Sequence, residues 1–324
     1  WKNETLDYKS WKHHYFKGLG TSDNCDIEDE SKDPKIVYTV YDEIAPYSMR
    51  LAFDKKLTNN RKEWIASWVQ DYSVETMKVQ PISSFINHEF IQFSIADVAR
   101  SIPRFTDGLK VSQRKIMWTA LKRWGKKAGS GAEMMKVAQF AAKVSETMAY
   151  MHGEKSLEGA AVGMGQNFVG SNNLPYFERK GEFGTRSRNG GDAAAGRHVF
   201  LRPEIYLPLI FKKVDQAILD ILVDEGQEIE PLTLLPILPM HLINGVCGIG
   251  TGSSTFCPAH DPLQIVYWLE AKIKGMPCPN LVPWYRGFTG DVEIRSKGKK
   301  ELETSSETDE ADEDMEEDDE NRDE

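Results

Sequence analysis

The stretch of sequence that decides the fold is residues 135–168, MKVAQFAAKVSETMAYMHGEKSLEGAAVGMGQNF. Its apolar residues recur at helical spacing, which predicts one helix from Met135 to Met148 and another from Glu154 to about Phe168. Only a short turn, Met151-His-Gly-Glu, lies between them. Two helices joined by a short glycine turn are what a helix-turn-helix needs, but any helical domain also packs helices in this way. The stretch predicts a helical domain and leaves open whether it binds DNA.

Patterns on either side of this stretch predict further helices and a strand. Asp107 stands where it can cap a helix from Leu109 to Trp124. Residues 45–70 carry apolar side chains at helical spacing, and the β-branched run Ile36–Tyr41 predicts a short strand. The polar, acidic residues 23–35 predict a loop. Together these signals predict an α+β fold.

The charge of the chain is divided unevenly along its length. The 324 residues hold 40 Lys and Arg against 50 Asp and Glu, a formal net charge of −10. Residues 301–324 hold 15 acidic residues and one arginine, a charge of −14, so residues 1–300 carry +4. Residues 100–200 hold 17 basic and 8 acidic residues, a charge of +9. A basic middle attracts polyanions, most commonly nucleic acid, although scattered solvated lysines give the same count.

The acidic end of the sequence predicts disorder, since residues 301–324 have too few apolar side chains to form a core. Three roles stay open for it: contact with histones or other basic proteins, occupation of the chain's own basic surface, or plain solubility.

Several classes of protein are excluded by composition. No run of 18 apolar residues is present, which argues against a membrane span. The four cysteines, Cys25, Cys247, Cys257 and Cys278, form no CxxC pair, so neither a disulfide framework nor a zinc site is expected. The sequence begins with Trp1 and has no signal-peptide pattern, which predicts an internal part of a longer protein.

Two glycine-rich runs could hold phosphate but lack the spacing for it. Gly248-Ile-Gly-Thr-Gly has neither the GxGxxG pattern nor a Walker lysine. Ile249, held between glycines, would either close a turn on its own core or wedge between DNA base steps. Residues 11–22 predict a strand that ends in Lys17-Gly-Leu-Gly-Thr, where Lys17 either meets a phosphate or is simply exposed.

A series of short blocks occurs in a fixed order between residues 8 and 294. The blocks are Tyr15-Phe-Lys-Gly-Leu-Gly-Thr-Ser, Arg61-Lys-Glu-Trp, Phe85-Ile-Asn-His-Glu-Phe-Ile-Gln-Phe-Ser, Arg100-Ser-Ile-Pro, Asp107-Gly-Leu-Lys, Gln113-Arg-Lys, Lys136-Val-Ala-Gln, His152-Gly-Glu, Gln166-Asn-Phe-Val-Gly-Ser-Asn-Asn, Gly184-Thr-Arg, Leu242-Ile-Asn-Gly and Gly248-Ile-Gly-Thr-Gly. As an ordered set they resemble the eukaryotic-type type II DNA topoisomerases.

The resemblance implies an α+β architecture in five parts. These are the end of a TOPRIM domain (1–45), a connecting helix and linker (46–80), a winged-helix DNA-cleavage domain (81–200), the start of a mixed α/β tower domain (201–294) and an acidic disordered segment (295–324).

The resemblance also implies the chemistry and the partners. In this family a tyrosine oxygen attacks a phosphate of double-stranded DNA, and a second duplex passes through the transient break. Mg²⁺ and ATP serve the intact proteins, and the parts that bind them lie outside the matched blocks. A homodimer and a nuclear location are implied as well.

Individual residues take predicted roles from the blocks that they match. Arg197 falls on the catalytic arginine, His152 on the histidine that contacts the scissile phosphate, and Ile249 on the isoleucine that intercalates and bends DNA. The other residues predicted to contact DNA or to support that contact are Arg100, Asp107, Lys110, Arg114, Lys115, Lys17, Gln166 and Asn167.

One position departs from the family pattern. The family has a tyrosine after the catalytic arginine, whereas this chain has Gly196-Arg197-His198-Val199-Phe200. His198 therefore takes the position of the nucleophile. An imidazole can be phosphorylated, but its ring is shorter than a phenol. The alternative prediction is a chain that binds and bends DNA without cleaving it.

Overall fold

The computed structural model describes residues 23–34, 36–69, 78–224 and 226–293. They combine helices with short strands, which confirms the α+β class. They also divide into two compact units. The first unit comprises the described residues up to Ile102 together with Gly248–Thr255, and the second comprises Pro103–Cys247 and the described residues from Phe256 onward. Lys17 and the acidic segment 301–324 lie outside the described residues.

The first unit is mainly helical. Its helices are α1 Asn24–Lys32, α2 Ala45–Phe53, α3 Thr58–Ser67, α4 Ile82–Phe85 and α5 Ile91–Ser101, with a π-helical turn Ile86–Phe90 between the last two. Strands β1 Tyr38–Val40 and β2 Val79–Pro81 pair in parallel. The strand predicted at 36–41 is therefore confirmed.

One prediction for the first unit is wrong for a local reason. Residues 23–35 contain the helix α1 rather than a loop, because the Asp26 carboxylate accepts the Asp23 N–H at 3.0 Å and caps the first turn. The helical structure predicted over residues 45–70 is confirmed, and it is divided between α2 and α3. The break lies at Asp54, whose side chain accepts the Lys56 N–H and starts a new turn.

The second unit holds the long predicted helices. Its helices are α6 Val111–Trp124, α7 Val137–Thr147, α8 Glu154–Gly165, α9 Leu207–Ile210, α10 Met240–Ile243 and α11 Pro262–Ile273. Its strands are β3 Met135–Lys136, β4 Phe177–Lys180, β5 Phe200–Pro203, β6 Ile221–Asp224 and β7 Gln227–Pro231. Strands β8 Val246–Gly250 and β9 Ser253–Cys257 follow as a hairpin, whose tip carries Ile249 and belongs to the first unit.

Helices α6, α7 and α8 pack around a core with a three-stranded antiparallel sheet in the order β3-β5-β4. Fully buried side chains from each layer include Ile116, Phe140, Leu157, Phe177 and Leu201. The central strand β5 pairs with both β3 and β4 and so fixes which of their residues lie opposite one another. Burying these apolar side chains is the main force that holds the helices against the sheet.

Asp107 does not cap helix α6, so that prediction is wrong. Lys110 is the residue before the helix, and its N–H donates to the Gln113 side chain at 2.9 Å. Asp107 instead accepts the Leu109 N–H at 2.9 Å and pairs with Arg114. Among the described residues, no helix is long and apolar enough to cross a membrane.

Candidate nucleic-acid interface

Arg197 and His198 project from a short loop that is fixed on both sides. The N–H groups of Val137 and Ala138, at the start of α7, donate to the carbonyls of Val199 (3.0 Å) and Gly196 (3.1 Å). Both side chains are exposed. The Arg197 Nε–H donates to His198 Nε2 at 3.0 Å. The helix start therefore presents an arginine and a histidine as one hydrogen-bonded pair.

Helix α8 approaches this loop through Glu158. A Cβ built at Gly196 would lie 2.7 Å from the Glu158 carboxyl carbon, the movable end of a side chain, and 3.2 Å from the backbone nitrogen of Ala138. His152 comes just before α8, six residues ahead of Glu158, and is exposed. Its ring meets that of Tyr150 edge-to-face at 5.3 Å between centroids. His152 thus stands on the turn that leads into α8, the helix whose Glu158 approaches the loop of Arg197 and His198.

Further cations lie on the strands next to this loop and on the loop itself. Lys136 and Lys180 lie opposite Phe200 in the sheet, and each Nζ is 6.0 Å from its ring centroid. Arg186 and Arg188 are exposed on a turn between β4 and β5. We call Lys136, Lys180, Arg186, Arg188 and Arg197 the basic set. Within the described part of the chain, none of its members has a carboxylate oxygen within 4.0 Å.

Gln166 holds in place the turn that carries Arg186 and Arg188. Its Nε2 donates to the Phe183 carbonyl at 2.8 Å and approaches the Gly190 carbonyl at 3.4 Å. The loop is closed a second time by Thr185, whose N–H and hydroxyl each donate to Asp192 at 2.7 Å. These hydrogen bonds from Thr185 lower the pKa of Asp192. The side-chain amide of Gln166 is therefore used within the protein, whereas its neighbour Asn167 is exposed.

Three residues predicted to contact DNA lie in the core instead. Arg114 is 3% exposed and Asp107 is 0% exposed, and they form an ion pair with an Nε–Oδ2 distance of 2.6 Å. Lys115 is 8% exposed, and its ammonium donates to Glu230 at 2.6 Å and to the Met148 carbonyl at 2.8 Å. Direct phosphate contact by Arg114 or Lys115 is incompatible with this burial. We therefore expect Arg114 and Lys115 to support the fold of the DNA-binding surface rather than to contact DNA.

Lys110 stands apart from these buried groups. It is half-buried at the start of α6 and lines a cleft of about 170 Å³ together with Gln113, Tyr176 and Asn244. It is not buried in an ion pair as Arg114 and Lys115 are, so a contact with DNA stays a prediction for this residue.

In the first unit, Asp97 fixes the tip of the hairpin that carries Ile249. Its Oδ2 accepts both the N–H and the hydroxyl of Thr251 at 2.9 Å, and its Oδ1 accepts from Arg100 at 2.7 Å. The Arg100 guanidinium and the Thr251 donors lower the pKa of Asp97 to about 2. Gly252, at φ +81°, closes the turn where a Cβ would lie 2.3 Å from Arg61. Ile249 is left 77% exposed on a tethered turn.

The exposure of Ile249 argues against one of its two interpretations, closure of the turn on the protein's own core, and insertion between DNA base steps stays a prediction. A hydrophobe that closed a turn on its own core would be buried, whereas this side chain faces outward. Asp97, which no sequence motif singled out, provides the tether. The Lys136 and Lys180 contributions were also missed, although the surplus of basic residues between 100 and 200 was a signal for them.

The described residues do not assemble a metal site. No three His, Cys, Asp or Glu side chains among them lie close enough together to hold an ion. No step is therefore derived through the expected Mg²⁺.

Two family models match successive parts of the sequence. Residues 1–98 match the C-terminal associated domain of TOPRIM, and residues 100–322 match the model for the A subunit of DNA gyrase/topoisomerase IV. The two matches meet close to Ile102, where the compact units divide.

Comparison with individual proteins agrees with the family models. The chain is 38% identical to DNA topoisomerase 2 of Drosophila melanogaster over 92% of its length and 39% identical to that of Saccharomyces cerevisiae over 90%. It spans 21% and 20% of those relatives. A crystal structure of the Plasmodium falciparum topoisomerase II DNA-binding, cleavage and re-ligation domain is 36% identical and superposes with a TM-score of 0.69, covering 92% of this chain and 40% of that one. The chain therefore belongs to the DNA gyrase/topoisomerase IV family, and within it to the eukaryotic-type type II DNA topoisomerases.

Proposed function

We propose that this chain binds double-stranded DNA through the basic set of its second unit and bends it with Ile249. The observation that carries the proposal is the set itself: five cationic side chains with no carboxylate oxygen within 4.0 Å among the described residues, on one sheet, its loop and the start of α7. Unpaired cations on a rigid frame bind phosphates and release counterions. In this proposal α7 and α8 are the helix-turn-helix and strands β3–β5 the wing.

Ile249 supplies the bend. An exposed apolar side chain on a tethered turn can enter between two base pairs, partly unstack them and kink the duplex. Because the basic set contacts phosphates rather than base edges, we expect little base-specific readout, and easily kinked steps should be preferred.

Strand cleavage is the second function to consider, because the family carries it out. For the whole protein, the proposal would be ATP-dependent passage of one duplex through a transient break made by transesterification. His198 stands at the position of the tyrosine that forms the covalent link, so we propose that this chain binds without cleaving. Denaturant-resistant protein–DNA adducts from a longer protein that includes its TOPRIM domain, lost in His198→Ala, would contradict this. Adducts formed only by His198→Tyr would support it.

The remaining expectations concern the whole protein. Mg²⁺ and ATP would be held by parts that this chain, at about a fifth of its relatives' length, does not span. A homodimer and a nuclear location are proposed for the same protein. Contact of the acidic segment with histones stays open.

The experiment that tests DNA binding compares two pairs of cations. The Kd for a 30-base-pair duplex is measured by fluorescence anisotropy over a range of salt concentrations. Arg186→Ala with Arg188→Ala should weaken binding and flatten the slope of log Kd against log salt by about 2, since each lost phosphate contact removes roughly 0.9. The matched control is Lys272→Ala with Lys274→Ala at the end of α11, which should leave the slope unchanged. Equal effects of the two pairs would refute the assigned surface.

A further inference from the structure

The hydrogen bond between Arg197 and His198 gives the histidine a role of its own. Because the Arg197 Nε–H donates to His198 Nε2 at 3.0 Å, that nitrogen is an acceptor. A neutral imidazole with Nε2 as acceptor carries its proton on Nδ1. This tautomer follows from the hydrogen bond, since hydrogens are assigned from their partners.

This arrangement leaves His198 without a free nucleophilic nitrogen. Attack on phosphorus needs an unshared lone pair. The lone pair of Nε2 accepts the arginine proton, and Nδ1 is protonated. In the observed geometry the ring therefore presents a hydrogen-bond donor to its surroundings and no nucleophile.

The same arrangement prepares Arg197 to hold a phosphate. A guanidinium has five N–H donors in a rigid planar fork. His198 occupies the Nε edge, and among the described residues the two Nη groups have no hydrogen-bond partner. The free Nη edge fits two oxygens of one phosphate in the bidentate manner that arginine favours. The loop backbone is already fixed by α7, so little freedom is lost on binding.

We propose that His198 is a positioning residue that turns the nucleophile's position into a non-covalent phosphate clamp. It holds the Arg197 guanidinium by accepting its Nε–H, and its own Nδ1–H is available to a second oxygen of the same DNA backbone. The Lys136 and Lys180 ammonium groups beside Phe200 add positive charge to the clamp. This inference rests on the proposed binding of duplex DNA and names what the site does with it.

The test uses three single substitutions and one double substitution in the 324-residue chain, with the same duplex. His198→Phe keeps a ring but removes the acceptor, and it should raise the Kd about two- to tenfold, the range expected for one hydrogen bond. His198→Gln restores an acceptor and should recover most of the lost affinity. In the His198→Phe background, Arg197→Lys should cost less affinity than it does in the unmodified chain, because the two side chains act as a pair.

A spectroscopic readout separates positioning from a general structural effect. With ¹⁵N-labelled arginine, the Nε–H signal of Arg197, assigned by its loss in Arg197→Lys, should be shifted downfield and protected from exchange. The shift should disappear in His198→Phe, while the other arginine signals stay in place. Unchanged affinity and an unchanged signal in His198→Phe would overturn the clamp, as would a covalent adduct that requires His198.

The two proposals fail in different ways. If the unmodified chain binds duplex DNA weakly and without salt dependence, DNA binding itself fails. If binding is steeply salt-dependent and is lost with Arg186 and Arg188 but not affected by His198→Phe, only the clamp fails.

Discussion

Replacing Arg114 with methionine tests whether the buried ion pair supports the fold rather than the DNA. The Arg114 guanidinium donates to both oxygens of Asp107, at 2.6 and 3.1 Å, and to the Leu109 carbonyl at 2.7 Å. Removing it would leave a carboxylate that is 0% exposed without its counter-charge. Breaking a buried pair in this way costs about 3–5 kcal/mol. At roughly 2–4 °C per kcal/mol for a unit of this size, the melting temperature should fall by about 6–20 °C.

Hydrogen exchange of the α6 amides is the suitable assay, because it reports the free energy of opening for that helix alone. The control is Lys274→Met, which breaks the exposed pair with Glu270 (Nζ–Oε2 3.3 Å) and should cost no more than about 0.5 kcal/mol. The combined change Asp107→Leu with Arg114→Met should recover part of the stability, since it removes both buried charges. A loss below about 1 kcal/mol for Arg114→Met would refute this reasoning. A weaker DNA affinity without any loss of stability would instead support a direct contact between Arg114 and DNA.

Three further changes test other parts of the structure. Asp97→Ala should free the hairpin tip and reduce DNA bending toward the value for Ile249→Ala, as measured by energy transfer between labelled duplex ends. Because the pKa of Asp97 is lowered from its ordinary value of 3.8 to about 2, its hydrogen bonds to Thr251 should persist above pH 3.8 and be lost only as the pH falls through 2. Burial lowers the pKa of His241, whose Nδ1 has no hydrogen-bond partner among the described residues. The stability that comes from its neutral form should therefore be lost as the pH falls below 6.5. His241→Phe should reduce this dependence of the melting temperature on acid pH. Lys115→Met should cost about 3–5 kcal/mol by leaving Glu230 buried and unpaired, most of it recovered when Glu230→Leu is added; equal losses in urea unfolding for the single and double variants would contradict the pairing.

The helices of the second unit could be predicted because their signals are local. The predicted helix over Glu154–Phe168 ends at Gly165. The predicted helix over Met135–Met148 begins only at Val137, because its first two residues form strand β3. A two-residue strand has no periodicity of its own and exists only because β5 lies beside it. The capping of α1 was missed for a related reason, since acidic residues favour both loops and helix starts.

In the candidate site, a motif can identify exposed residues one at a time, as it does for Arg197 and His152. The partners of buried charges depend on tertiary structure: Glu230 lies 115 residues beyond Lys115, and no spacing rule connects them. For the same reason, a matching block predicts a DNA contact for a basic residue such as Lys115, whose charge is in fact neutralised inside the protein.

Under the proposed function, binding and cleavage depend on different atoms in this site, and the histidine at position 198 separates them. If all five members of the basic set meet phosphates, the slope of log Kd against log salt is roughly 4 to 5, so affinity changes several hundredfold over a fourfold change in salt. None of that depends on a nucleophile. Covalent chemistry depends on one oxygen atom that His198 lacks, and the nitrogen in its place is already hydrogen-bonded to Arg197. A chain with this site can therefore keep its affinity for duplex DNA while it loses the ability to cleave it.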